Sequence, residues 1–275
     1  MVKVTFLKIG NITLTTLVDI MLDERASRDD IQGTVLSSST KLSPSDADRI
    51  LSLLEHVESD LVVVVSPNAN LDGPKKLVNK LKGKYPLIVV SDEADKELRE
   101  SWRKEGVGYL IAPFDPMIGA KKDFLDPTEM GIFNGYVINV LSAAGVFELI
   151  TKEIDNIIEQ IKEGKELKLP KRNLSSMTVV QSYPFKNDYS KAKAVAALEM
   201  LTKVAKLDVK GLYVEKDKSK SLIYLSAAHE IVRQAGLLAD EIRELEKSTN
   251  RLVRQPHNKA DGKRLYKENF FDEAK

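Results

Sequence analysis

With no cysteine anywhere in its 275 residues, the chain must do any chemistry with carboxylates, amides, hydroxyls, lysines and three histidines. Disulfides, thiolate zinc sites, Cys-ligated clusters and a Cys nucleophile are excluded. The richest stretch runs from Pro113 to Asn134 and reads PFDPMIGAKKDFLDPTEMGIFN. Two Asp-Pro steps, Asp115-Pro116 and Asp126-Pro127, enclose Gly119-Ala120 and the pair Lys121-Lys122. A residue before proline is pushed toward extended backbone, so the two steps fix the path of a loop. Glycine admits a ligand close to the main chain, and the lysines suit a phosphate or carboxylate. Asp126-Pro127-Thr128-Glu129 reads as a helix start: Asp accepts free N–H groups at the N-cap, Pro fits the first helical position, and Glu favours the positive helix end.

The histidines are scattered. His56 lies on a charged helix end. His229-Glu230 is expected to open the last long helix, where free N–H groups favour an anionic or polar ligand; Arg233 stands four residues on, so this is no metalloprotease pair. His257 lies in the loop Gln255-Pro256-His257. After the first strand the residues are Gly10-Asn11-Ile12-Thr13-Leu14-Thr15, which is neither the glycine fingerprint of dinucleotide folds nor a lysine-bearing phosphate loop. Asp240 to Lys247 (DEIRELEK) is a salt-laced helix face, and no Ser-His-Asp spacing stands out. No metal site is expected.

Lys and Arg number 42 against 41 Asp and Glu, for a formal net charge of +1. That balance argues against charge-driven nucleic-acid binding. No apolar run reaches the ~18 residues of a membrane span. The opening MVKVTFLKIG reads as a strand entering a turn rather than a signal peptide, so a cytoplasmic protein is expected.

Five strands position these residues: Val2–Ile9, Ile31–Ser37, Leu61–Val65 (LVVVV), Leu87–Val90 and Gly108–Ala112. Helices are expected between them, near Thr15–Leu22, from Ser43-Pro44, from Pro74, and over Glu93–Glu105. Alternation with short connections predicts a doubly wound parallel sheet, whose ligands bind beyond the carboxyl ends of the strands. Those ends are Gly10-Asn11, Ser37 to Thr40, Ser66-Pro67-Asn68, Ser91-Asp92 and Asp115. The fold class is therefore α/β: a sheet domain over 1–126, then a mainly helical part over 127–275. In that part, Thr128 to Glu163 and Ser190 to Lys206 read as helix, Gly164 to Asp188 as an irregular connection, and Val209–Leu225 as a β-hairpin (near 209–226). A long helix from Ala227 to Thr249 and a mixed tail complete the chain.

Two long stretches, DPMIGAKKDFLDPTEMGIFN (Asp115 to Asn134) and SAAHEIVRQAGLLADEIRELEKS (Ser226 to Ser248), carry a resemblance, together with Val18 to Ala26, Arg254-Gln255-Pro256-His257 and Asp261-Gly262-Lys263. The chain resembles the archaeal coenzyme F420-dependent methylene-tetrahydromethanopterin dehydrogenases, collinearly over nearly its whole length. It departs from that family's usual pattern at three strand ends: Ile9 to Thr13, Ser66 to Ala69 with Asp72-Gly73-Pro74, and Ser91 to Asp95. The resemblance implies an oxidoreductase of one-carbon metabolism and methanogenesis. Hydride passes reversibly between methylene-tetrahydromethanopterin and the deazaflavin F420, a dissociable cosubstrate, without metal or prosthetic group, in a cleft between an α/β domain and a helical part. It also implies a homo-oligomer, a hexamer built as a trimer of dimers. On this reading Asp115 and Asp126 stabilise the methenyl cation. Gly10, Asn11, Ser66, Asn68, Met117, Gly119, Ala120 and Lys121 meet the cofactor, while Glu129, Asn134, His229, Glu230 and His257 meet the pterin. A non-catalytic pterin- or deazaflavin-binding paralogue is the alternative, and an NAD(P)-linked enzyme is discouraged by the missing glycine fingerprint.

Overall fold

The computed structural model describes residues 1–115 and 126–275, and Met117, Gly119, Ala120, Lys121 and Lys122 lie outside them. A six-stranded parallel sheet has the order β2-β1-β3-β4-β5-β6, with β1 at Val2–Lys8, β2 at Ile31–Ser37, β3 at Leu61–Asn68, β4 at Leu87–Glu93, β5 at Gly108–Ile111 and β6 at Lys171–Asn173. The register is continuous across the centre: Phe6 pairs with Val63, Val63 with Ile88, and Ile88 with Gly108. Helices α1 (Thr13–Glu24), α2 (Pro44–Leu54), α3 (Asp72–Leu81) and α4 (Lys96–Lys104) connect the first five strands.

Both sheet faces are covered, which is why the central strands are unbroken apolar runs rather than alternating ones. On one face Leu7, Val64, Val89 and Tyr109 pack with Ile50 of α2, Leu77 of α3 and Trp102 of α4. On the other, Val4 and Phe6 meet Met21 of α1 and Ile154 and Ile158 of α6 (Val146–Lys162). Helix α2 starts as its sequence dictates, with Ser43 and Asp46 in a reciprocal capping box and Pro44 in the first turn. Gly73, at the start of α3, has no room for a side chain, because a Cβ there would lie 2.0 Å from the Leu42 carbonyl oxygen.

The expected irregular connection 164–188 instead contains β6 and helix α7 (Ser176–Ser182). The strand is three residues long, Lys-Arg-Asn, and lies at the sheet edge beside β5. A short charged edge strand has no hydrophobic pattern to betray it. Its register is fixed by Tyr109 N–H donating to the Pro170 carbonyl and Leu174 N–H donating to that of Ile111.

The expected hairpin at 209–226 is corrected to helix. Helix α8 (Asp188–Val209) runs into a π turn at Lys210–Val214, and α9 (Lys218–Ser248) follows. Asp217 caps α9 by accepting from the N–H groups of Ser219 and Lys220. The β-branched and aromatic residues that suggested strands, among them Tyr213, Val214 and Ile223, are exposed. Burial of Leu225, Ala228, Val232, Ala235 and Ala239 sets the helix instead. The helical stretch expected over 128–163 is two helices, α5 (Pro127–Ala143) and α6, parted at Gly145 with φ +94°; its missing side chain leaves room for the Tyr183 ring, 2.9 Å from where a Cβ would stand.

The chain forms two compact units: 1–113 with 150–174 and 256–265, and 114–149 with 175–255 and 266–275. They interleave along the sequence, so neither is one continuous stretch such as 1–126 or 127–275. Among the described residues no single helix is long and apolar enough to cross a membrane.

Candidate active site

In the sheet unit, the carboxyl ends of the strands gather polar residues on one edge. Gly10 takes φ +82°, and a Cβ there would sit 2.9 Å from Pro67. The turn thus needs glycine twice over, for its left-handed backbone and for the approach of the loop after β3. Its N–H is spent inside the protein, on the Lys41 carbonyl and Ser38 Oγ, so Gly10 shapes the edge rather than donating to a ligand. Asn11 is exposed, and its Oδ1 accepts from Thr15 Oγ1 at 3.0 Å. Asn11, Thr16, Ser37 and Thr40 border a pocket of about 260 Å³ above β1 and β2.

Ser66, expected to touch the cofactor, is fully buried and sits 3.5 Å from the Ser91 hydroxyl. Strand β3 runs on to Asn68, so position 66 lies within the sheet. Asn68 braces its own loop: Nδ2 donates to Glu93 Oε2 at 2.7 Å, and Oδ1 accepts from Asn70 N–H at 2.8 Å.

In the helical unit, Asp126 is the N-cap of α5, accepting from Glu129 N–H at 2.8 Å, and Glu129 is exposed in the first turn. Asp115 is buried. Phe133 and the half-buried His229 bring α5 and α9 together with ring centroids 4.4 Å apart. Asn134 follows, and its Oδ1 is buried without a hydrogen-bond partner. Asn139 Nδ2 ties α5 to α9 by donating to Asp240 at 2.8 Å, and Gly236 lets Tyr136 lie where a Cβ would stand 2.2 Å from its ring.

His229 does not open a helix. It lies well inside α9, where backbone N–H groups are already paired, so the expected anion-binding argument fails there. Glu230 is exposed and paired with Arg233 at 3.0 Å. Asp217 as a cap, followed by apolar positions 225, 228, 232 and 235, was the signal that could have placed the start correctly.

His257 has a different surrounding from the one expected. Its Nδ1 meets Glu24 at 2.8 Å and its Nε2 meets Asp155 at 3.0 Å, with its side chain 4% exposed. Asp155 also receives Arg25 at 2.7 Å, Arg264 at 2.9 Å and Arg28 at 3.3 Å. Burial alone would raise the Asp155 carboxyl, but the His257 hydrogen bond and the Arg25 and Arg264 charges outweigh it and hold it far below the usual range. Burial opposes a charged His257, yet the bonds to Asp155 and Glu24 raise its pKa. Burial likewise works against Asp30, but Arg28 and Lys162 bring it to about 2. With both ring nitrogens on carboxylates, His257 fastens residues 256–265 to the rest of the sheet unit. Asp155 lies on an amphipathic helix and forms no short motif, so nothing local marked it. Among the described residues no group of three or more His, Asp or Glu converges as a metal site.

A sequence profile for methylene-5,6,7,8-tetrahydromethanopterin dehydrogenase matches residues 2–275. The chain is 45% identical to the F420-dependent methylenetetrahydromethanopterin dehydrogenase of Archaeoglobus fulgidus, covering 97% of this chain and 96% of that one. It is 39% identical to the enzyme of the same description from Methanocaldococcus jannaschii, covering 98% of each. A solved F420-dependent methylene-tetrahydromethanopterin dehydrogenase, in complex with methylene-tetrahydromethanopterin and coenzyme F420, superimposes with a TM-score of 0.93 at 36% identity over the whole of both chains. The chain belongs to the methylene-tetrahydromethanopterin dehydrogenase family.

Proposed function

We propose that this chain is an oxidoreductase that moves a hydride reversibly between methylene-tetrahydromethanopterin and coenzyme F420, forming methenyl-tetrahydromethanopterin and reduced F420. The observation that carries this is the end-to-end match to enzymes of that activity, in sequence and in fold. Two features of the described residues support the reading: the sheet edge offers a polar pocket, and the α5–α9 face offers an aromatic pair beside a buried acceptor with no partner, Asn134 Oδ1. That acceptor suits an N–H donor, of which a pterin ring has several.

F420, when bound, supplies the hydride acceptor. The protein's own task is then to orient two organic molecules at reacting distance and exclude water. Loss of hydride leaves a delocalised methenyl cation on the pterin, and a carboxylate held nearby stabilises it. Asp115 and Asp126 are the proposed carboxylates; the N-cap bond fixes the Asp126 rotamer for that purpose. Asn11 with Asn68 on the cofactor side, and Glu129, Asn134 and His229 on the pterin side, are the proposed contacts. Met117, Gly119, Ala120 and Lys121 remain proposed cofactor contacts by their place in the family motif. A cytoplasmic homohexamer completes the reading.

The test is direct. Purified protein is mixed with methylene-tetrahydromethanopterin and oxidised F420, and the deazaflavin absorbance is followed. Bleaching is expected; no bleaching at high enzyme concentration sinks the proposal.

A further inference from the structure

The corner where α8 passes through the π turn into α9 is basic and apolar at once, and none of its residues is among those proposed for hydride transfer. Residues 203–220 hold six lysines (Lys203, Lys206, Lys210, Lys216, Lys218 and Lys220) against Asp208, Glu215 and Asp217, a net +3. The whole chain carries +1, so all its other residues together carry −2. The six lysines are exposed, and none forms an ion pair with a described residue. At the opposite end of α8, by contrast, Lys191 and Lys193 each sit on a carboxylate.

Among these lysines lie Val209, Tyr213, Val214, Leu222 and Ile223, all exposed, Val214 by 65% and Ile223 by 67%. Large apolar side chains grouped at a surface and rimmed by polar ones mark a place where something else binds. The corner is held in shape. Ser221 Oγ donates to the Gly211 carbonyl at 2.6 Å, and Gly211 lies so near Leu225 that a Cβ would stand 3.1 Å from its side chain. The Lys210 ammonium lies 4.2 Å from the centre of the Tyr224 ring. The apolar side chains are thus displayed on a fixed frame.

The residue types point to the kind of partner. Protein interfaces are enriched in Tyr, Trp and Arg and depleted in Lys. Residues 203–225 contain no Arg, Trp or Phe, and every cation there is a lysine. An anionic lipid surface suits this set: aliphatic groups enter the headgroup layer, and lysines on long stems reach the phosphates around them.

We propose that the α8–α9 corner docks the protein on an anionic membrane surface, with Val214 and Ile223 entering the headgroup layer and the lysines meeting lipid phosphates. Such docking is shallow, reversible and salt-sensitive. It needs no membrane-spanning segment and does not rest on the hydride-transfer reading.

The test is co-sedimentation of the whole chain with vesicles of equal parts phosphatidylglycerol and phosphatidylcholine, and with vesicles of phosphatidylcholine alone. Wild type is compared with two variants, one combining Lys203→Gln, Lys206→Gln, Lys216→Gln and Lys220→Gln, the other Val214→Ser and Ile223→Ser. All six positions are exposed, and thermal melting and light scattering check that fold and assembly are kept. Wild type is expected to sediment with the anionic vesicles only, and to be released by ~0.5 M salt. Each variant should bind them at least about tenfold more weakly. No sedimentation of wild type with anionic vesicles overturns the proposal, as does binding equal to wild type by either variant. Capture of an acidic protein instead of vesicles, lost in the lysine variant, gives the corner to a protein partner and overturns it as well.

Discussion

Asp208 near the end of α8 is fully buried, and neither of its carboxylate oxygens has a hydrogen-bond partner. It occupies the core stripe of α8, in line with Leu201 and Val204. Burial raises its pKa from 3.8 to about 7. A carboxyl that is harder to ionise in the folded than in the unfolded chain binds more protons when folded. Its contribution is therefore least harmful below pH 3.8, and stability falls as pH rises from 3.8 toward 7. At ~1.36 kcal/mol per unit, the two units between pH 5 and pH 7 remove about 2–3 kcal/mol. For a chain of this size that is roughly 5–10 °C of melting temperature. Asp208→Leu, neutral and branched at Cγ as Asp is, should erase this dependence and melt higher than wild type at pH 7 by about that amount. Asp208→Asn should erase the dependence too while keeping a buried polar group, and so gain less. The assay is calorimetric or circular-dichroism melting of the three proteins at pH 5, 6, 7 and 8. Parallel pH curves for wild type and Asp208→Leu would refute the reasoning, because the group would then be ionised and paired or solvated at all of them.

Asp126→Ala should cost about 1 kcal/mol of stability through the lost N-cap, whereas Asp126→Asn keeps the cap; if the carboxylate also stabilises the methenyl cation, kcat falls in both, and an unchanged kcat in Asp126→Asn rejects that role. Asp155→Asn leaves Arg25, Arg28 and Arg264 facing a neutral amide and should destabilise by about 3–5 kcal/mol in urea titration. His257 works in the opposite pH sense to a depressed carboxylate: with its pKa raised, its stabilisation is whole below pH 6.5 and is lost as pH rises through the folded value. Hydrogen exchange of residues 256–265 should therefore speed up above that point in wild type but show no such step in His257→Gln. Gly73→Ala would put a methyl 2.0 Å from a backbone oxygen and should cost on the order of 1–3 kcal/mol, seen as reduced soluble yield or a lowered melting point.

The central sheet was open to reading because burial on both faces turns strands into runs such as LVVVV, and Asp126-Pro127 and Ser43-Pro44 state their helix starts in chemistry that needs no tertiary context. What could not be read is set by packing. Strand β6 has no apolar residue; it exists because Tyr109 and Ile111 leave an edge to be paired. The segment Ser221–Leu225 carries strand-forming residues, but only Leu225 of them is buried, and the α8–α9 contact holds it helical. For the site, residue types at the strand ends correctly marked the polar edge, yet type alone could not separate Asn11, which faces solvent, from Ser66, which lies in the sheet. His257 shows the same limit: a histidine in a Pro-containing loop looks like a ligand contact until Glu24 and Asp155, far away in sequence, come to meet it.

The interleaving of the two units has a consequence for how the molecule is made. The sheet unit needs α6 for one face, β6 for an edge, and 256–265 to complete the Asp155 ion network. On a ribosome, where the chain emerges from its amino end, the first five strands must wait for nearly the whole message before their last partners appear. A stalled or truncated product would expose an uncovered sheet face and an open edge, and chaperones or proteases would act on it as unfolded. Synthesis of this protein is thus closer to all-or-nothing than its two-unit outline suggests, and it cannot be shortened from the carboxyl end without undoing the beginning.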